Sequence, residues 1–238
     1  ESAVSCVAIQ PDGKIVVAGG GNDFTLARYN DNGSLDITFG GERDQFGRFL
    51  PTGGGKVSTG IGSESAVSCL AIQADGKILA GGITKAPRSS RMSDKDFVLV
   101  RYNPNGSLDM DFGEHYFGVS KLRGGGKVTT DVGSLSDDVK SIAIQPDGKI
   151  IAAGYYRVSD DTRNLAIVRY NSDGSRDTGY KKIPLKNREN VINAIAIQSD
   201  SKIVIGGYVG SGYISGEGHR EFALFRYNPD GILDDSFG

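Results

Sequence analysis

The chain has 238 residues, with 27 basic and 29 acidic side chains and a formal charge of -2, a balance that gives the whole molecule no pull toward nucleic acid or an anionic membrane surface. No apolar run is long enough to span a bilayer as a helix, so no membrane insertion is expected. Glu1 opens the sequence without a basic-then-apolar leader, as a secreted protein trimmed of its signal also would. Glycine is abundant at 35 residues without a three-residue period, which points to many turns and not to collagen.

Taken in order, the first extended run is Val4–Gln10, and it returns as Val67–Gln73, Val139–Gln145 and Ile192–Gln198. Strict alternation places Val4, Cys6 and Ala8 on one face and Val7 and Ile9 on the other; both faces are apolar, the mark of a strand buried on both sides. A tight turn follows at Pro11-Asp12-Gly13, Ala74-Asp75-Gly76, Pro146-Asp147-Gly148 and Ser199-Asp200-Ser201. The second run, Lys14–Gly19 and its copies from Lys77, Lys149 and Lys202, makes a hairpin with the first. The equivalent glycines Gly19, Gly82, Gly154 and Gly207 mark a place where a side chain would not fit. Run three ends in Arg-Tyr-Asn in every copy, and a Gly-containing turn follows it. A short fourth run, Lys56–Thr59 and Lys127–Thr130, is polar on alternate sides; the irregular Lys182–Leu185 takes its place in the third copy, and the fourth copy ends before reaching it.

No stretch holds a helical period. Four antiparallel strands per unit, apolar inside and more polar outside, describe a propeller blade, so the expected fold is an all-β propeller of four-stranded antiparallel blades, four per chain. The repeats run approximately over 1–63, 64–135, 136–188 and 189–238 within one domain, the last lacking its outer strand. Three ways of managing the ends stay open: a four-bladed ring that closes alone, a piece of a longer array, or a homodimer that completes eight blades through the open blade ends.

The motifs AIQPDGK, ARYN, GSLD..FG and GGKV.T, in that fixed order over essentially the whole chain, resemble the bacterial delta-60 repeat. That resemblance implies a propeller-type scaffold common in exported or cell-surface bacterial proteins, hence an extracellular or cell-surface location, and it brings no catalytic residues. Copy three departs from the pattern at Arg176 and Tyr180, and copy four at Ser201 and Ile232.

Cys6 and Cys69 share one slot with Ser141 and Ala194, so they read as small packed thiols and not as a disulfide. Arg28, Arg101, Arg169 and Arg226 each precede an aspartate by eight residues: Asp36, Asp109, Asp177 and Asp234. A pairing present in every unit reads as structural, the Arg fork tying strand to turn. The Asn/Asp-rich turns lack the spacing of a calcium loop, the GGGN and GGGK runs lack a phosphate-loop frame, and His115 and His219 stand apart; no metal and no cofactor is expected. Loop carboxylates Asp94, Asp96, Asp160, Asp161, Glu217 and Glu221 leave open a glycan-processing enzyme.

The informative asymmetry is loop length between runs two and three, short in copy one and long in copies two to four. Insertions on one face of a repeat array usually build its binding surface. That face offers Arg88, Arg91, Met92 and Lys95 from copy two, Tyr156, Arg157 and Arg163 from copy three, and Tyr213, His219 and Arg220 from copy four. The opposite face carries Phe46, Phe49, Tyr116 and Phe117, suited to covering blade edges or a dimer seam. The leading expectation is a non-catalytic binding scaffold for a protein or glycan. A structural or assembly repeat of a larger surface protein is the first alternative and the enzyme the second.

Overall fold

The computed structural model describes residues 3–40, 54–85, 95–117, 120–123, 125–133, 135–159, 162–178, 189–210 and 220–238. Lys182–Leu185, Phe46 and Phe49 lie outside them. The described residues form sixteen strands. The first blade is β1 (Val4–Ile9), β2 (Ile15–Gly19), β3 (Phe24–Tyr29) and β4 (Lys56–Thr59), paired in that order. The second is β5 (Ala66–Ile72), β6 (Ile78–Lys85), β7 (Lys95–Tyr102) and β10 (Lys127–Thr130), with a separate hairpin of β8 (Glu114–Phe117) and β9 (Ser120–Arg123) inserted before its last strand. The third contributes β11 (Asp137–Ile144), β12 (Ile150–Ser159) and β13 (Thr162–Tyr170), and the fourth β14 (Glu189–Ile197), β15 (Ile203–Gly210) and β16 (Arg220–Tyr227). A single parallel bridge, Arg163 to Glu189, joins the last two into one six-stranded sheet. All other pairings are antiparallel.

The core lies between blades, where each sheet covers the next. Inner strands β1, β5, β11 and β14 stand side by side in succession. Phe24, Leu26 and Phe39 of the first blade pack on Val67, Ile78 and Tyr102 of the second. Phe97, Leu99 and Phe112 meet Val139, Ile150 and Tyr170 of the third, and Leu165 and Ile167 meet Ile192, Ile203 and Tyr227 of the fourth. Cys6 and Cys69 are free thiols inside these layers, and burial pushes the Cys6 thiol up to about 11.

Strict alternation fails in the inner strand. Each copy carries a β-bulge, between Val4/Cys6, Val67/Cys69, Val139/Ser141 and Ile192/Ala194. Val4 pairs with Gly19, Val7 with Val17 and Ile9 with Ile15, so these three share the face turned away from the second blade, while Cys6 and Ala8 take the other. The bulge brings the backbone of the inner strand onto strand two. A Cβ on Gly19, Gly82, Gly154 or Gly207 would strike the carbonyl oxygen of Ala3, Ala66, Asp138 or Val191 respectively. The glycine and the bulge therefore require each other.

Among the described residues the four blades do not close into a ring: no sheet covers the outward face of β1 or that of β16, and Val4, Val7, Ile9, Phe222 and Leu224 are exposed.

Turn chemistry follows the sequence. Asp12, Asp75, Asp147 and Asp200 each accept the backbone N–H two residues on, at 3.0–3.2 Å. Gly13, Gly76 and Gly148 take φ of +84°, +80° and +82°, and Ser201 is forced to +66° in the same place. Ser201→Gly is expected to stabilise the chain by about 1 kcal/mol by removing a left-handed non-glycine residue. Gly82→Ala is expected to destabilise it by about 3 kcal/mol through overpacking. Urea unfolding midpoints of the two variants check both signs.

Candidate functional site

The repeated arginines form one arrangement in all four blades. Nε donates to the aspartate eight residues on: Arg28 to Asp36 at 2.8 Å, Arg101 to Asp109 at 2.7 Å, Arg169 to Asp177 at 2.9 Å and Arg226 to Asp234 at 2.8 Å. The lysine just before the second strand of each blade joins the aspartate: Lys14, Lys77 and Lys202 at 3.0 Å and Lys149 at 3.2 Å. The free end of the fork crosses to the next blade, where the carbonyls of Pro104, Ser172 and Pro229 accept from Arg28, Arg101 and Arg169. Burial works to raise the pKa of Asp36 and Asp109, but hydrogen bonds from Thr38 and Lys14, or from Lys77, and the arginine charge hold both below the usual carboxylate range. In the following turns, Asn32, Asn105, Asp173 and Asp230 spend a side-chain oxygen on the backbone N–H two residues on, as Asx turns do.

Distinct chemistry gathers at one end of the sheets, where β6 turns into β7, β12 into β13 and β15 into β16. Cross-strand register places Lys85 opposite Lys95, Arg157 opposite Arg163 and Gly210 opposite Arg220. Lys95, Arg163 and Arg220 thus occupy one equivalent position in three successive blades. Like charges directly opposite are unfavourable in a sheet. In the second blade the chain neutralises the pair itself: Glu64 reaches Lys85 at 3.3 Å and Lys95 at 3.9 Å, from a backbone held at φ +56°. In the third blade the Arg157 N–H donates to the Ser136 carbonyl as the Lys85 N–H donates to that of Ser63, so Ser136 takes the place of Ser63 and no described residue of that link stands in for Glu64. There Arg163 lies 5.0 Å over the Tyr155 ring, and Tyr155 donates to Asp138 at 3.0 Å. Arg220 stands 4.9 Å over Tyr208 in the same way. Tyr156 packs beside Gly133 and accepts from Asn164 at 3.2 Å.

Lys95, Tyr156, Arg157, Arg163 and Arg220 therefore lie at this end of their blades. Arg88, Arg91, Met92, Tyr213 and His219 fall outside the described residues, as do Asp94, Asp160, Asp161 and Glu217.

The same end holds a group that spacing did not reveal. Carboxylate oxygens of Asp96, Asp131 and Asp137 all lie within 4.8 Å of one another, the one such group among the described residues. Asp137 is fully buried; one of its oxygens accepts from the N–H groups of Val132 at 2.6 Å and Gly133 at 3.3 Å, while Oδ1 accepts no hydrogen bond. Burial pushes its pKa up to about 7, against those two N–H groups and with the Asp131 and Asp96 charges adding to the rise. Three oxygens so placed can share a proton or begin the shell of a hard cation, and Oδ1 is the atom either would neutralise. At the preceding junction the same positions are Asp23, Gly60 and Ser65, with the Ser65 hydroxyl 2.9 Å from that of Thr84. Reading the copies in register for non-conservative departures, Gly60 against Asp131 and Ser65 against Asp137, is the signal that would have found the cluster.

The family model described as "Domain of unknown function (DUF5122) beta-propeller" matches four segments, residues 10–39, 73–112, 145–180 and 198–237, together more than half of the chain. The chain belongs to the DUF5122 beta-propeller family. Each segment begins just after the first strand of its blade and spans the second and third strands, and each ends at the turn that carries the Arg–Asp pair. No curated protein matches this DUF5122 chain.

Solved structures similar to it include the mannose phosphorylase MPT-4 from Leishmania mexicana, at TM-score 0.48 and 13% identity over 98% of this chain and 68% of that one. The gluconolactonase XC5397 from Xanthomonas campestris gives 0.46 and 12% over 95% of this chain and 59% of that one. A protein of unknown function from Bacteroides caccae gives 0.45 and 16% over 100% and 69%. At such distances these likenesses carry no activity across.

A carboxyl group whose pKa is raised on folding stabilises the fold while protonated. That contribution is present in acid and is lost as pH rises through about 7. Asp137→Asn is therefore expected to melt above the wild-type chain at pH 8 and to show a smaller loss of melting temperature between pH 5 and pH 8. Thermal melts at the two pH values check the sign.

Proposed function

We propose that this DUF5122 propeller array, which we read as of the delta-60 kind, is a non-catalytic binding scaffold that takes acidic groups of a partner protein or glycan at its long-loop end. The reading rests on one comparison inside the chain. In the second blade a carboxylate of the chain itself, Glu64, sits between the paired cations Lys85 and Lys95. In the third blade the same pair is Arg157 and Arg163, Ser136 meets Arg157 as Ser63 meets Lys85, and among the described side chains no carboxylate stands between the two cations. Glu64 marks where a carboxylate fits between two facing strands, and the third blade leaves that place to a partner. Guanidinium groups suit it better than ammonium groups, because their planar fork takes a carboxylate through two parallel hydrogen bonds. Tyr155 beneath Arg163 fixes the plane of one fork and adds an aromatic surface of the sort enriched where interfaces hold energy.

Catalysis draws no comparable support. Asp96 is buried in the cluster with Asp131 and Asp137, and Glu221 lies exposed on β16, so the two do not form a carboxylate pair across an open cleft.

Binding of polyglutamate and of polygalacturonate, measured by fluorescence anisotropy at low and high salt, tests the proposal. The wild-type chain is expected to bind at least one of them with a salt-dependent affinity. Arg157→Glu and Arg163→Glu should each weaken that affinity by about tenfold or more, the loss expected for one charge-assisted hydrogen-bonded contact. Ser136→Glu should weaken it too, by placing a carboxylate of the chain beside Arg157. Absence of binding to both polymers at low salt, or charge reversal without effect, overturns the reading.

A further inference from the structure

The link from the second blade into the third carries charge that the fold does not need. Asp96 is the second residue of β7, Asp131 follows β10 and Asp137 opens β11, so three carboxylates come together from three separate strand ends of one junction. The first junction is the same construction without two of the acids. Gly60 stands there for Asp131 and Ser65 for Asp137, and a Cβ on Gly60 would lie 3.7 Å from Oδ1 of Asp23, the equivalent of Asp96. Ser65 is neutral and satisfied: its hydroxyl donates to the Gly62 carbonyl at 3.2 Å and lies 2.9 Å from that of Thr84. The one carboxylate, Asp23, acts on a cation of the chain itself, Lys127, whose Nζ donates to the Gly60 carbonyl at 2.5 Å. A glycine and a hydroxyl therefore suffice to lead the chain from an outer strand to the next inner one.

The second junction puts carboxylates in both places and leaves one oxygen unmet. The Asp137 residue is 0% exposed. Its Oδ2 holds the link closed through the N–H groups of Val132 and Gly133, whereas Oδ1, equally enclosed, accepts no hydrogen bond. An enclosed carboxylate oxygen without a donor is unfavourable alone, and two further carboxylates within 4.8 Å add repulsion. A cation in the group reverses both effects. Ligand oxygens about 2.3–2.6 Å from a shared Ca²⁺ stand at most about 5 Å from one another, a limit that these three meet. A ligand set of carboxylate oxygens alone selects a hard cation. Ligands drawn from three separate strand ends suit the flexible geometry of Ca²⁺ better than the near-ideal octahedron that Mg²⁺ demands.

We propose that Asp96, Asp131 and Asp137 form a Ca²⁺ site that clamps the link between the second and third blades, with Oδ1 of Asp137 as its buried ligand. Asp131 is exposed, so water completes the shell from that side. The site uses none of the facing cations and stands whether or not the acidic-group reading of that end holds.

Thermal melts in Ca²⁺ against NaCl of equal ionic strength, after divalent ions are removed with EDTA, test the site. The wild-type chain is expected to melt about 3–10 °C higher in about 10 mM Ca²⁺, the shift for a site half-filled at about 0.1–1 mM, and to gain less from Mg²⁺. Asp131→Asn, on the exposed side, should fold normally and lose most of that rise. Asp137→Asn should lose it as well, although it starts from a higher melting temperature at pH 8. Asp23→Asn, the equivalent change at the first junction, should keep it. If Asp137→Asn does not unfold cooperatively, Asp96→Asn takes its place beside Asp131→Asn. A wild-type chain that Ca²⁺ stabilises no more than NaCl overturns the proposal, and so do equal rises from Ca²⁺ and Mg²⁺. A rise that survives Asp131→Asn and Asp137→Asn, or one that Asp23→Asn abolishes, places the ion elsewhere and overturns it too.

Discussion

The structure depends on the guanidinium of the Arg-Tyr-Asn arginine. Buried charge is unfavourable unless its hydrogen-bonding capacity is met, and here it is met from two directions. Nε binds the aspartate of the arginine's own blade, and the far end of the fork binds a carbonyl of the next. The planar group also lies on an aromatic ring, at 4.6 Å for Arg28 over Phe39 and 4.4 Å for Arg101 over Phe112. That ring in turn covers the turn glycine of the following blade. Lysine could not substitute, since an ammonium has no fixed plane to serve both neighbours and a ring together. One side chain therefore fixes the shape of its own turn and the placement of the next sheet, and the blades are stable as neighbours and not singly.

A second constraint works inside each blade and is invisible to simple alternation. Reading Val4, Cys6 and Ala8 as one face assumes an unbroken period of two, but the bulge after Val4 inserts one residue and moves Val4 to the face of Val7 and Ile9. The invariant glycine was legible as a point of close approach; what approaches it, the carbonyl just before the bulge, was not. Turns and Arg–Asp spacings could be read because each is a local event written four times. Thr59 accepting the Tyr102 hydroxyl at 2.9 Å, and Thr130 accepting that of Tyr170 at 2.8 Å, joins residues about forty apart and could not be read from either stretch alone. Whether the ring closes stayed undecided in the sequence for the same reason, because closure is set by how sheets stack and no local signal reports it.

The candidate site was legible in position more than in mechanism. Loop length pointed to the end where β6 meets β7 and β12 meets β13, and Lys95, Arg157, Arg163 and Arg220 could be named from it. Their pairing required the register, which sets Lys85 against Lys95 and Arg157 against Arg163. Asp131, in the short link into the third blade, and Asp137, which opens β11, lie far along the chain from Asp96, and only the fold brings the three together.

Repetition separates what the fold needs from what it merely carries. The arginine, the glycine, the turn aspartate and the inner-strand valine or isoleucine occur in all four blades, each with a contact that explains it. The facing cations do not: the first blade closes the same hairpin around Asn22, and the fourth has Gly210 opposite Arg220. A blade can evidently be built without two cations opposed across a strand pair, an arrangement that works against the sheet. In the second blade the chain relieves that repulsion only by placing Glu64 in a left-handed conformation that costs about 1–2 kcal/mol. The third blade keeps the two cations, and among the described side chains no acid stands between them. The partner carboxylate that we propose would account for that combination.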